Sequence, residues 1–408
     1  MLRRFEGIGK DSIKANNMYA ILVCVYKNTA ISRRDIAKSV NLTPSTVTLL
    51  VSEMISVGIL YEGEEIVESG RAGRRTILIQ INRDFGYLVG VCVEPNRLSF
   101  AISFLGGEVI DKFVVPHNKK NSELIDTLLE LTEKLIFAQH NLHGRFCAIG
   151  ISISGQVDPG AGISINSYGV LPPHTDLCEI FNKRFNTPVF MDNNVRSLAC
   201  AEVGTQTNGK NINGLFIKHD PGFGSTLLLG GEVFSGSRNS SGELGHVRVV
   251  DNNKLCICGR TGCLSTVVAT SELIGDAMSA FSPNTTPELW RLCSGSPHNI
   301  ELKSLVKSAE LGDKPIVKLL EDAVVAMSQV IQAALLTMDG DTIITFGVIF
   351  EMDWFFSLFE KTIQELFGSF RRIRVKKSGV ADDDRWKGAI FIAFWNYLKT
   401  ISQEICAN

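Results

Sequence analysis

The sequence predicts an α/β protein in three parts: an N-terminal winged helix-turn-helix, then a duplicated two-lobed α/β body whose second lobe carries a cluster of cysteines with a histidine. Three observations predict it. Two short helical patterns meet at Asn41-Leu42-Thr43-Pro44 and are followed by two strand-like runs around an arginine-rich loop. Strand-rich beginnings recur at Tyr87 and at Gly214, each leading into amphipathic helices. Between Gly242 and Cys263 three cysteines and a histidine fall close together. The expected domains are 1–82, 83–203 and 204–408, the last with that cluster and the C-terminal helices.

In the first part, residues Met18 to Asn28 are largely apolar and helical in pattern. Ser32 and Asp35 then stand as N-cap and N3 of a capping box, which predicts a short helix to Val40. Thr43 as N-cap and Pro44 at N1 start the next helix, in which Val47, Leu50, Val51 and Met54 recur at the spacing of one buried face. Ser45, Thr46, Thr48 and Ser52 are left off that face. Gly58 ends the helix, and Leu60–Val67 and Thr76–Ile81 read as the strands of a wing whose connecting loop carries Arg71, Arg74 and Arg75. A second helix with a small polar face suits the major groove, and arginines among small residues suit a narrow minor groove or phosphates. The candidate DNA contacts are therefore Ser45, Thr46, Thr48, Arg71, Arg74 and Arg75. The same loop also reads as a solvated loop beside a dimerisation module. With eleven Lys/Arg against eight Asp/Glu up to residue 80, about +3, any DNA contact is focused rather than broad.

From Gly86 the pattern changes. Tyr87–Val93 and Leu98–Phe104 are strand-like, and Gly106-Gly107 turns the chain into Val109–Val115. A comparable unit recurs at Gly214–Ile217 and Thr226–Leu229, with Gly230-Gly231 as its turn. Amphipathic helices follow at Ser122–Ala138 and Pro315–Met338. Two such units predict a duplicated architecture with a cleft between lobes.

The third observation carries metal chemistry. His246 lies in a Gly-Glu-Leu-Gly-His turn, and Cys256, Cys258 and Cys263 follow within eighteen residues of it. A Cys₃His set makes a closed tetrahedral zinc site, structural because four protein ligands leave no position for water. Gly259 and Gly262 let the chain fold back so that the sulfurs converge. The alternative is three free core cysteines that happen to be close.

Composition sets the limits. At 408 residues the chain is too long for one ordinary domain, and 45% hydrophobic with 21% charged residues is ordinary globular composition. A net charge of −2 excludes a surface that is basic throughout. No apolar run reads as long enough to span a bilayer and no signal peptide is recognised, so no membrane partner is expected and the protein is expected in the cytoplasm. Of ten cysteines, the seven outside the cluster are read as reduced core residues.

The motifs GELGH (242–246) and CxCGxxGCL (256–264), with AIGISISGQVD from Ala148 to Asp158, VFMDNNVRSLACAE from Val189 to Glu202 and a terminal Gly388-Ala389 helix, resemble the ROK family over the whole chain. That family groups sugar-responsive repressors with sugar kinases. The resemblance implies that the duplicated body is of the actin-like ATPase type. It also implies sugar-hydroxyl contacts from Ser154, Gly155, Asn193, Asn194, Glu243 and His246. Asn193 and Asn194 also read as a turn at a strand end, and Glu243 as an N-cap.

The chain departs from the kinase pattern of that family. Kinases open the first lobe on an Asp-x-Gly-x-Thr hairpin; here Cys92, Glu94 and Asn96 occupy those positions, with Pro95 between. A carboxylate would repel the triphosphate, and proline removes a backbone donor, so no ATP is expected. The glycine-rich segment Pro221–Thr226 fits a turn as well as a phosphate loop. The kinase general base, an aspartate eight residues before Glu202, is Asn194 here, and an amide cannot take a proton from a hydroxyl. Arg196 replaces a further asparagine, and Ser265 stands where the family has an acid after Gly-Cys-Leu. The expectation is a DNA-binding regulator of carbohydrate-utilisation genes, most simply a repressor and not an enzyme. It would act as a homodimer or dimer of dimers on an inverted-repeat operator, with a sugar or sugar derivative in the cleft and Zn2+ as structural cofactor. The alternatives are a sugar kinase with an added DNA-binding domain and a regulator controlled by a partner protein.

Overall fold

The computed structural model describes residues 10–66, 76–139, 142–204, 212–250 and 253–407. It opens on helix α1 (Lys10–Asn28), a short strand β1 (Ile31–Ser32), and helices α2 (Arg33–Ser39) and α3 (Pro44–Ser56). Strands β2 (Leu60–Ile66) and β3 (Thr76–Ile81) complete an antiparallel sheet in the order β1-β3-β2. The two expected caps form: the Ser32 hydroxyl accepts from the Asp35 N–H at 3.1 Å, and Thr43 Oγ1 accepts from the Thr46 N–H at 3.2 Å. Each such cap is worth about 1 kcal/mol. The reciprocal half of the box differs, because the Asp35 carboxylate accepts from the Ser32 hydroxyl at 2.6 Å rather than from the Ser32 N–H. Helix α1 starts well before Met18, since its first turns hold Ala15 inward and place Lys14 against Glu53 of α3 at 2.7 Å.

The first large sheet is built from β4 (Gly86–Glu94), β5 (Arg97–Phe104), β6 (Val109–Pro116), then, beyond helix α4 (Asn121–Phe137), from β7 (Arg145–Ile153). Strands β8 (Gln156–Asp158), β9 (Ile163–Asn166) and β10 (Thr175–Asp176) form a small antiparallel sheet that leads to helix α5 (Leu177–Phe185). Strand β11 (Val189–Asn193) then pairs with β7, and helix α6 (Asn194–Gly204) follows it without a break. The order is β11-β7-β4-β5-β6, with β11, β7 and β4 parallel and the rest antiparallel. Val89, Val91, Phe100 and Ile149 pack on one face with Leu124, Leu128 and Phe181 of α4 and α5. A strand covered on both faces must be apolar at every position, which is why β4 and β7 read as continuous hydrophobic runs.

The second large sheet repeats the plan. Its strands are β12 (Gly214–His219), β13 (Phe223–Leu229) and β14 (Glu232–Phe234), followed by helices α7 (Ser265–Val268), α8 (Thr270–Ala280), α9 (Pro287–Leu292), α10 (Leu302–Glu310) and α11 (Lys314–Met338). Strand β15 (Thr342–Phe346), helices α12 (Val348–Glu351) and α13 (Asp353–Phe367), and strand β16 (Arg374–Lys377) complete it. The order is β14-β13-β12-β15-β16, again a three-stranded antiparallel meander extended by two parallel strands. Leu215, Ile217 and Ile343 pack with Leu273, Leu305, Leu320 and Phe359 of the covering helices. Helix α11 corrects one expectation: by length and composition it is apolar enough to cross a membrane. Its Ile316, Leu320, Val324, Met327 and Ile331 are instead part of this core.

The last helix, α14 (Trp386–Ala407), was expected with the second lobe and packs on the first sheet. The chain forms two compact units, the first running to Ser197 and including Gly204 and the segment from Trp386, the second made of Leu198–Val203 and Gly209–Arg385. Ile390, Ala393 and Phe394 cover Leu88, Ala101 and Ala148, and the ring of Tyr26 of α1 lies tilted against that of Phe394 with centroids 4.2 Å apart. The close approach needs two glycines paired across β4 and β7, Gly90 and Gly150. A Cβ at Gly150 would lie 1.9 Å from the Ala389 carbonyl oxygen, and one at Gly90 would meet Ile390 at 2.9 Å. The described N-terminal residues, 10–66 and 76–82, thus share their core with the first sheet.

Candidate metal centre and binding residues

Helix α3 buries Val47, Leu50, Val51 and Met54, the face that its periodicity predicts. Ser45, Thr48 and Ser52 are exposed and Thr46 is half-buried. Three of these hydroxyls have local partners: Ser45 Oγ lies 3.0 Å and Thr46 Oγ1 2.8 Å from Thr43 Oγ1, and Thr48 donates to the Pro44 carbonyl at 2.8 Å. Leu49, 60% exposed, joins them on the outer face and was not singled out from the sequence. Arg71, Arg74 and Arg75 lie outside the described residues. Arg33 of α2 bonds Glu62 of β2 at 2.7 Å, which ties the helix pair to the strand pair.

In the first unit, Glu94, Ser154, Asn193 and Asn194 come together at the carboxyl ends of the parallel strands β4, β7 and β11. Open α/β sheets take their ligands at such ends. Asn194 Nδ2 donates to Glu94 Oε1 at 3.1 Å and to Ser154 Oγ at 3.0 Å. Glu94 is 2% exposed, and its Oε2 also faces Arg97 Nε at 3.7 Å. Asn193 is engaged at both ends of its amide. Its oxygen accepts from the N–H groups of Val195 at 2.8 Å and Arg196 at 3.3 Å, and its nitrogen donates to the Gly155 carbonyl at 2.6 Å. It thus caps the start of α6 and clasps the Ser154-Gly155 turn. Beside it, the buried Arg196 donates from Nε to Asp192 at 2.8 Å, in a second ion pair. The contact between Glu94 and Asn194 was not foreseen, because the two lie a hundred residues apart in sequence.

In the second unit, Glu243 precedes the short 3-10 turn Leu244–His246 as its N-cap residue, with no side-chain capping bond. The Ser225 hydroxyl of β13 donates to the Gly242 carbonyl at 2.5 Å, and the Ser265 hydroxyl to that of Gly245 at 2.9 Å, so the turn is held from both sides. Beyond it the chain folds back through Cys256–Cys263. Gly262, at φ +73°, has no room for a Cβ, which would lie 2.1 Å from the Val250 carbonyl oxygen.

The result brings His246, Cys256, Cys258 and Cys263 together, with all four ligand atoms within 4.8 Å of one another. The separations test the fit. A tetrahedral zinc with Zn–S of about 2.3 Å and Zn–N of about 2.0 Å sets S···S edges near ~3.7 Å and S···N edges near ~3.5 Å. Cys258 Sγ and Cys263 Sγ are 3.7 Å apart, and Cys256 Sγ and His246 Nδ1 are 3.5 Å apart. These two edges match a tetrahedral ion, which the four residues could hold with Nδ1 as the imidazole ligand. Their titration agrees. Burial holds the His246 imidazole below its usual range, and so neutral, against the pull of Glu243. Burial and its two neighbouring thiols push Cys263 up to about 12; at Cys258 burial raises the thiol too, but hydrogen bonds with Arg260, Cys256 and Cys263 together outweigh it and bring it to about 7. Three thiols so close ionise together only around a cation.

Comparisons with known proteins place this arrangement. The model of the ROK family matches residues 96–394. A putative xylose repressor of Caldicellulosiruptor sp. (strain Rt8B.4) is 26% identical over 264 residues, 64% of this chain and 66% of that protein, so the match spans just under two-thirds of that relative's length. The DNA-binding transcriptional dual regulator NagC of Escherichia coli (strain K12) is 23% identical over 351 residues, 84% of this chain and 83% of NagC. The solved structure of a ROK family transcriptional regulator, a homolog of the E. coli Mlc protein, superposes with a TM-score of 0.79 at 22% identity, over 97% of this chain and all of that one. That likeness extends to the N-terminal helices, which the family model leaves out. With the family model matching most of its length, the chain is a member of the ROK family.

Proposed function

We propose that the protein is a transcriptional regulator, a repressor of carbohydrate-utilisation genes whose affinity for operator DNA changes when a sugar or sugar derivative binds. The observation that carries this reading is the N-terminal unit of α2, α3, β2 and β3, with a buried apolar face and an outer face of Ser45, Thr48, Leu49 and Ser52 on α3. It has the form of a winged helix-turn-helix, in which Ser45, Thr46 and Thr48 read bases and Arg71, Arg74 and Arg75 hold phosphates or the minor groove. The body behind it is a sugar-kinase scaffold of the actin-like type turned to effector binding. Its effector residues are Ser154, Gly155, Asn193, Asn194, Glu243 and His246, with Asn193 acting through its cap on α6. His246, Cys256, Cys258 and Cys263 would hold a structural Zn2+, which fixes the GELGH turn and with it Glu243.

The buried bond between Glu94 and Asn194 supports a regulator over a kinase. A general base must be able to accept a proton, and an amide that donates both of its hydrogens to neighbours cannot. The test has two arms with the full-length protein. Selection from a randomised duplex library should recover an inverted repeat, as a symmetric dimer requires, and calorimetric titration across sugars should find one that weakens binding to it. ATP-dependent phosphorylation of any sugar would turn the assignment to the kinase branch.

A further inference from the structure

We propose that Glu94 makes the effector site selective for an uncharged sugar over its phosphate ester. This rests on the effector reading above and names the chemical class that the site accepts.

The argument begins with hydrogen-bond polarity. A carboxylate only accepts, so Glu94 Oε1 fixes which end of the Asn194 amide faces it. Both hydrogens of that amide are then spent, one on Glu94 and one on Ser154 Oγ. What Asn194 has left to offer a ligand is its carbonyl oxygen. Glu94 and Asn194 therefore present acceptors, which suit the O–H groups of a sugar. The phosphate group of a sugar ester, largely a dianion at neutral pH, replaces a hydroxyl donor with acceptors only.

The usual means of binding a phosphate at this place are closed as well. A helix N-terminus binds anions through its first N–H groups, but those of Val195 and Arg196 in α6 are already taken by Asn193 Oδ1. The hairpin between β4 and β5 turns through Pro95, which has no N–H to give. The guanidinium groups nearby face carboxylates of the same unit, Arg97 facing Glu94 and Arg196 facing Asp192. Each of these guanidinium groups is thus matched by a carboxylate, so no net positive charge is left to receive a phosphate dianion in a buried setting, where screening is weak.

The experiment is calorimetric titration of the full-length protein with matched pairs: glucose and glucose 6-phosphate, N-acetylglucosamine and its 6-phosphate, xylose and its 5-phosphate. Whichever sugar binds should do so at least ~10-fold more tightly than its own ester. Glu94→Gln keeps the shape and, through its amide oxygen, an acceptor for Asn194. It should narrow that gap to within about threefold, by gain of the ester rather than loss of the sugar. An ester that binds the unmodified protein as tightly as the free sugar, or more tightly, overturns the proposal, and that comparison needs no variant to fold. An unchanged gap in Glu94→Gln overturns it too. If no member of any pair binds, the effector reading itself fails and this inference with it, an outcome distinct from a preference for the ester.

Discussion

The sheets β11-β7-β4-β5-β6 and β16-β15-β12-β13-β14 share strand order and sense, and in each the first hairpin turns on an acid followed by proline, Glu94-Pro95 in one and Asp220-Pro221 in the other. The two acids are used differently. Glu94 is buried and bonded to Asn194, so that it ties the hairpin of its unit to the start of α6. The side chain of Asp220 stays about a third exposed, 32%, and meets the buried Arg385 at 3.4 Å. The second unit also carries the Cys₃His cluster between β14 and α7, where the first has no counterpart among the described residues. Repeated topology therefore fixes where the strands end, and leaves the loops there free to take up unrelated chemistry.

The largest break in the comparison should come from the metal. Cys258→Ser should reduce bound zinc from about one per chain to a small fraction and destabilise the second unit by on the order of 4 kcal/mol, while the first unit keeps its core. Metal analysis and two-step chemical unfolding check this; protein purified without chelator and free of zinc would refute it.

The first unit has its own weak point in the approach of α14. Gly150→Ala puts a Cβ against the Ala389 carbonyl and should cost more than about 3 kcal/mol, with the terminal helix detaching before the second unit unfolds. Hydrogen exchange along α14 reads it directly, and unchanged protection there would show that the glycine pair is dispensable.

Asn194→Asp sharpens the contrast between the acids. It places a second carboxylate about where an amide now sits, 3.1 Å from Glu94, and should destabilise the first unit by roughly 1–3 kcal/mol at pH 7. It should not restore sugar phosphorylation in a coupled ATPase assay, since Glu94 and Pro95 remain. Turnover in that variant would mean that the hairpin is no obstacle.

On DNA the effects are smaller. Arg74→Ala should flatten the salt dependence of operator binding by about one unit of slope, whereas Thr46→Ala should alter base preference at one position. Equal salt slopes for both would place Arg74 off the DNA. The smallest change runs the other way: Gly275→Ala in α8 meets nothing within 4 Å and should stabilise the second unit by up to about 1 kcal/mol.

Much of this was legible in the sequence because its causes are local. Capping at Ser32 and Thr43, the buried stripe of α3, the meander strands and the convergence of His246 with three cysteines follow from residue spacing, turn chemistry and ligand type. Each involves residues close in the chain, where loop closure costs little. The continuous apolar runs of β4 and β7 predicted strands but not their partners. That the paired glycines Gly90 and Gly150 exist to admit α14, and that this last helix closes the first sheet rather than the second, was decided by packing across roughly 240 to 300 residues of chain. The same holds at the strand ends. The sequence identified Glu94 and Asn194 as two separate departures from the kinase pattern, each explained alone by charge or by proton affinity. Only the parallel pairing of β11, β7 and β4 brings them within 3.1 Å, where a carboxylate that can only accept sets the direction of an amide that must then donate. Residue type determined what each group is able to do; tertiary structure decided which group it does it to.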